Sequence, residues 1–333
     1  MQTSLRSSGQ LAFRTPVAFL ISTLMLAFGA TFAGAAAREP VDIASGIGLT
    51  ALGTDWGSSS RHARQRAEAA LPLEKMAAAD RQAIEASLRT TTLYRRLPVE
   101  LFSCDGDLLS FALDKPEAIV DIWRLLGISR LALDPIGPEQ WRLSDGYGTV
   151  GHLRLAHRDR RADGGMLIFH GRGAYTGPLS PKNLTGNCVL MVRYRQAEPM
   201  TDGRQRQAVQ IDAFLDMDGI GLEIVTRTLQ PLIARSAAAN LHEICLFMAS
   251  LSDAATTNPE GVVRLADRLP RTVPADRQAL AAIARGTAKR QGRQQPTRRA
   301  EVPTGSAAST DRLSVDLAAR WLPVDELEHA QRR

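Results

Sequence analysis

Three Asp-Gly pairs, at 145–146, 163–164 and 202–203, lie between segments in which apolar and polar residues alternate. Asp-Gly accepts the positive φ angles of a tight hairpin, so the pattern restricts this region to short antiparallel strands joined by turns. Strands read at 130–134, 139–144, 149–157, 165–174, 186–196 and 207–217. The last alternates most cleanly. Val209, Ile211, Ala213 and Leu215 share one face; Gln210, Asp212 and Asp216 share the other, and only Phe214 breaks the rule. One face is expected to be buried and one wet, as in an antiparallel meander.

Helices flank this meander. A strand at 97–103 precedes Asp114-Lys-Pro-Glu117, which reads as a helix start: Asp114 caps, Pro116 suits the first turn, and Glu117 reaches back. Ile119, Trp123 and Leu126 form its apolar stripe, and Gly127 stops it. After the meander, Asp218 is a cap. Leu222, Val225, Leu229, Leu232, Leu241, Ile244, Met248 and Leu251 then recur near the helical period. Pro231 should kink or split this long helix, Asn258-Pro259 ends it, and 260–269 suit one more short helix. The expected fold is α+β: an antiparallel meander packed against a long C-terminal helix and a shorter helix after the first strand.

The flanks read differently. Arg6 and Arg14, the apolar run Val17 to Phe32 and the small residues Ala33-Gly34-Ala35-Ala36-Ala37 have the three parts of a secretory signal peptide, with cleavage near Ala35 or Ala37. The alternative is a membrane anchor at 17–37, since about 20 apolar residues span a bilayer. The expectation is therefore an exported chain, periplasmic or secreted, with membrane association through the N-terminal segment as the alternative. Residues 38–93 read as a linker with a short helix at 73–90, 94–269 as the main domain, and 270–333 as a mostly disordered basic tail, with a short docking helix at 313–327. The preference for Arg over Lys, which occurs only at 75, 115, 182 and 289, and the abundance of Ala suit a GC-rich bacterial genome.

Charge and cysteine usage exclude several classes. The formal charge is +6, but residues 94–269 carry a net of −1 and residues 270–333 a net of +5. The main domain as a whole has no footprint for phosphate backbones, so no nucleic-acid partner is expected. Cys104 and Cys188 fall in or beside strands, where a disulfide between them is one option; Cys245 suits a small core position. No Cys-x-x-Cys or Cys/His cluster suggests zinc. Asp105-Gly-Asp107 and Asp216-Met-Asp-Gly219 lack the spaced oxygen ligands of a calcium loop and read as turns and caps. Ser103, Ser110 and Ser144 sit in no nucleophile elbow, and Gly171-Arg-Gly173 is no phosphate loop. Asn183-Leu-Thr185 matches a glycosylation acceptor. His152, His157 and His170 lie on two neighbouring strands, but alternation puts His152 and His157 on opposite faces, so scattered histidines are expected; His242 is expected on the wet side of its helix. No metal, cofactor or catalytic residue is assigned.

The order strand, helix, meander, long helix resembles the helix-grip fold of the START-like superfamily over about 97–269. The resemblance rests on Asp114-Lys-Pro-Glu117, the three Asp-Gly turns and the helix after Met217. That family commonly has two helices after its first strand, where one is read here, and Pro231 interrupts the helix to be gripped. The resemblance implies an apolar cavity between sheet and helix, with Leu222, Val225, Leu229, Leu241, Ile244 and Met248 as lining candidates. The expected function is an exported binding or interaction module whose partner is an apolar small molecule or an envelope protein. The alternatives are a hydrolase or isomerase using the same cavity, and a structural envelope-associated protein.

Overall fold

The computed structural model describes residues 57–176, 184–218 and 222–294. They form eight strands and seven α-helices: α1 (Arg61–Ala69), α2 (Ala78–Arg89), β1 (Leu93–Arg96), β2 (Glu100–Ser103), α3 (Gly106–Asp114), α4 (Pro116–Leu125), β3 (Ala132–Gly137), β4 (Gln140–Ser144), β5 (Thr149–Arg161), β6 (Gly164–Tyr175), β7 (Leu184–Ala197), β8 (Arg206–Asp218), α5 (Leu222–Thr257), α6 (Pro259–Asp267) and α7 (Pro274–Gln294). The fold is α+β, with one antiparallel sheet in the order β1–β8–β7–β6–β5–β4–β3. Strand β2 follows β1 along the same edge of β8. The N-terminal signal or anchor segment, Asn183 and the 313–327 segment lie outside the described residues.

The Asp-Gly turns produce the meander for two different reasons. Gly146 and Gly203 adopt φ of +74° and +84°, which a side chain resists. Gly164 instead faces its neighbour strand so closely that a Cβ would stand 2.3 Å from the Tyr194 carbonyl oxygen.

Four expectations about the sheet and its helices are corrected. First, helix α3 was not read from the sequence. Asp105 caps it, accepting from the N–H groups of Asp107 (3.0 Å) and Leu108 (3.3 Å). Second, Asp114 caps nothing: α4 starts at Pro116 with no side-chain cap, while Asp114 ends α3 and pairs with Arg158 and Arg160. An ion pair across to β5 displaces the local capping bond. Third, Pro231 does not split the long helix, which runs unbroken from Leu222 to Thr257. Fourth, the second face of β8 is dry along its middle, while Gln210 and Asp216 towards its ends keep partial exposure. Asp212 and Phe214 are fully buried there.

That burial follows from α1 and α2, which cover the face opposite to α3–α7. Ala63, Ala67 and Ile84 pack there with Tyr94, Ile168, Val189, Met191 and Phe214. Phe214 therefore obeys the alternation after all, serving a second core. Residues 61–69, expected as linker, are helical because Ala63 and Ala67 lie on one helical face against this layer. The main core lies on the other face, where Leu133, Leu143, Leu155, Phe169 and Leu190 meet Ile122, Trp123, Leu241 and Met248. It also takes in Leu280 and Ala284 of α7, so the folded body extends past 270 into what reads as tail.

Candidate functional site

The described residues form a cleft of about 390 Å³ at the rim of the sheet, where the start of α3, the β5–β6 turn, β7, the segment entering β8 and the end of α7 converge. Its floor is built from the α3 cap. Asp105 uses one carboxylate oxygen for the α3 N–H groups and the other for Arg290, at 2.7 Å from Nη2. Arg290 Nη1 also reaches Asp107, at 3.0 Å. Gln205 accepts from the Gly106 N–H through Oε1 at 2.9 Å, and Gln207 donates to the Cys104 carbonyl at 3.3 Å. The Asp105 N–H donates to Ser252 Oγ at 2.9 Å. A helix N-terminus, a guanidinium and three polar side chains are thereby locked together by bonds from four elements.

The opposite wall is less committed. Arg161 and Asp163 flank the β5–β6 turn, and Tyr194 and Gln196 project from β7. Among the described residues, the Arg161 side chain is bonded only to its strand neighbour Asp159, at 2.9 Å, and it is 70% exposed. Cations (Arg160, Arg161, Arg290) and carboxylates (Asp105, Asp107, Asp163) both line this rim. Among the described residues that line it there is no histidine or cysteine, and one serine, Ser110. The cleft presents hydrogen-bond donors and acceptors of both charge signs.

The candidates named from sequence lie elsewhere. Leu241 and Met248 are buried in the main core and Ile244 packs against it; none of the three lines the cleft. The side chains of Leu222, Val225 and Leu229 lie outside the described residues. The three cysteines are free and buried, so Cys104 and Cys188 do not pair. Burial pushes the Cys188 thiol up to about 12 and raises Cys104 and Cys245 as well, which makes all three poor nucleophiles. Among the described residues, no three His, Cys, Asp or Glu side chains converge to hold a metal ion. No helix among them is long and apolar enough to cross a membrane.

The histidines are placed differently from expectation. His242 is not on the wet side of its helix: Nδ1 lies 3.1 Å from Oε2 of Glu100, a carboxylate buried on β2. A bulge between Leu155 and His157 shifts the alternation of β5, so that His157 pairs in register with Ile168. His152, His157 and His170 thus all face the α1–α2 side, but at separate positions on the strands. Alternation alone could not reveal a bulge, because one extra residue carries no fixed sequence mark.

His170 has the most constrained setting. Its Nε2 lies 3.2 Å from Ser87 Oγ, whose hydroxyl also reaches the Ala83 carbonyl at 3.1 Å. Asp80 stands near but is held by Arg154 at 2.9 Å. Burial lowers the His170 pKa against the smaller raising effect of Asp80. A depressed folded-state pKa means that the unfolded chain protonates first, so stability is full above the ordinary value and falls as pH drops below about 6.5. Melting temperature measured from pH 7.5 down to pH 5 should therefore fall, and His170→Gln should flatten that slope. An unchanged slope in the variant would assign the pH dependence to other groups.

In comparison with known proteins, no family model matches the chain, and no curated protein matches it.

Proposed function

We propose that this chain is an exported, non-enzymatic binding module with the helix-grip arrangement, and that it takes a small zwitterionic ligand in the rim cleft. Two features support the helix-grip reading. Two helices, α3 and α4, intervene between β2 and β3, and the meander returns β8 beside β2 before the long α5. The ligand class differs from the apolar molecule that the resemblance implies, because the described half of α5 fills its side of the sheet with packed side chains.

The observation that carries the proposal is the cleft itself: about 390 Å³, within the usual size for small-molecule sites, with one wall locked and one uncommitted. Mixed charge cancels much of the attraction for a single ion and favours a molecule bearing both signs. Arg161 receives its carboxylate, Asp163 its ammonium, and Tyr194 and Gln196 the polar atoms between.

Calorimetric titration with triglycine tests this. Saturable binding is expected, weakened about ten-fold or more when Arg161 and Asp163 are both changed to Ala, since a charge-assisted hydrogen bond is worth about 1.5–3 kcal/mol. Absence of heat and of thermal shift with triglycine would overturn the zwitterion assignment.

A further inference from the structure

A second surface lies on the opposite face of the sheet, beyond the cover of α1 and α2. Register places Arg142 of β4 beside His152 of β5, and His152 beside Arg172 of β6. All three side chains are exposed. Directly opposed positions on neighbouring strands have Cβ atoms about 5 Å apart, where like charges repel. The fold nevertheless sets two guanidiniums around an imidazole in one row.

Several guanidiniums elsewhere on this sheet are neutralised within the chain. Arg158 and Arg160 share Asp114, Arg96 and Arg193 share Asp212, and Arg154 meets Asp80. Among the described residues, Arg142 and Arg172 have no carboxylate within ion-pair distance. The acids at the two ends of the row are already engaged. Asp134, in register with Arg142, is held by Arg271 at 2.8 Å, and Asp216 accepts from Asn187 at 3.4 Å. The next row on the same face adds Val150, 51% exposed, and the β4–β5 turn adds Tyr147, 38% exposed.

Cations beside the exposed Val150 on one sheet face, with Tyr147 at its edge stacked under Arg130, suit the headgroup layer of an anionic bilayer. Phosphate meets the guanidiniums while Val150 and Tyr147 enter the interface. Net charge hides this, because it sums acids over the whole domain, while the two arginines sit side by side around His152 with Asp134 and Asp216 only at the ends of the row. We propose that the β4–β5–β6 face, through Arg142, His152 and Arg172, docks on a membrane leaflet bearing anionic phospholipid. The docking face is separate from the rim cleft and stands or falls independently of its ligand.

Sedimentation of the full chain with vesicles tests the docking. One set contains equal parts phosphatidylcholine and phosphatidylglycerol, the other phosphatidylcholine alone, so that the ratio of the two removes the apolar contribution of the N-terminal run, while Arg6, Arg14 and the basic residues after 270 are common to every variant compared. Wild type should prefer the anionic set at low salt. Arg142→Ser with Arg172→Ser should reduce that preference about 30-fold, at roughly five-fold per arginine near an anionic surface. Arg264→Ser with Arg268→Ser, which removes the same charge from exposed positions on and just after α6, should leave it within about two-fold, and circular dichroism should report native fold in both. Equal binding to the two vesicle sets would overturn the proposal, as would an equal loss in both double variants. Tighter binding to a duplex oligonucleotide than to anionic vesicles, lost in the same variant, would replace the lipid with nucleic acid and also overturn it.

Discussion

Asp212→Ala should lower the unfolding free energy by about 3–5 kcal/mol, the usual cost of removing one partner of a buried ion pair. Asp212 is 0% exposed on β8. Its carboxylate accepts from Tyr94 Oη at 2.6 Å and from Arg96 Nε at 2.8 Å, and pairs with Arg193 as well. Burial and the neighbouring carboxylate both raise the Tyr94 pKa, which keeps that hydroxyl a donor at any physiological pH. Deleting the carboxylate leaves two guanidiniums facing each other beneath the helical cover, and a phenol without an acceptor. Part of each guanidinium still reaches water, with side-chain exposures of 15% for Arg96 and 32% for Arg193, so the lower end of the range is expected. Tyr94→Phe removes one hydrogen bond to a charged group and should cost less, about 1.5–3 kcal/mol. Urea unfolding of both variants checks the order. A loss below about 1 kcal/mol for Asp212→Ala would mean that water reaches the cluster and that α1 and α2 do not seal this face.

Trp123→Ala should cost about 3–5 kcal/mol on the other side of the sheet. Trp123 is 3% exposed and meets Phe247 edge to face, with ring centroids 5.7 Å apart and planes at 83°. The contact joins α4, early in the chain, to α5 near its end. Truncation loses the transfer energy of the indole, opens a cavity between two helices and removes the aromatic pair. Domains commonly hold only about 5–15 kcal/mol in total, so the variant should sit near its unfolding threshold. At roughly 2–4 °C per kcal/mol for a body of this size, melting should drop by about 6–20 °C. Val99→Ala, at a position 51% exposed, should change melting little. If Trp123→Ala melts like wild type, α4 and α5 do not share a core.

These two variants probe opposite faces of one sheet, and only one of those faces was legible in advance. Trp123, Ile119 and the stripe Val209, Ile211, Ala213 and Leu215 could be placed from periodicity, because side-chain direction follows chain position within a helix or strand. Asp212 could not. A carboxylate on an alternating strand reads as solvent-facing unless something covers it, and the cover here is α1, whose mean composition is polar and whose buried side is two alanines, Ala63 and Ala67. Alanines among arginines and glutamines carry almost no hydrophobic signal, and only the sheet beneath gives them a function. Helix α7 is similar: it keeps Leu280 and Ala284 inside a segment otherwise rich in polar residues.

The cleft was less visible still. Asp105-Gly-Asp107 reads as a turn or cap and Arg290 as part of a basic tail, yet Arg290 lies 185 positions from Asp105 and clamps it. No local pattern reports such a pairing, because its partners are set by where three elements end in space. The outer cationic row has the same origin. Arg142, His152 and Arg172 are unremarkable within their own strands and become neighbours only through register.

Local chemistry in the sequence was therefore enough for the elements whose geometry repeats or whose turns need special φ: the six-stranded meander, the Trp123 helix and the long helix after it. Tertiary structure alone decided which faces are dry, which acids meet which arginines, and where a cleft and, among the described residues, two unpaired arginines remain. The reason is that burial and ion pairing depend on distances between elements, while periodicity records only direction within one.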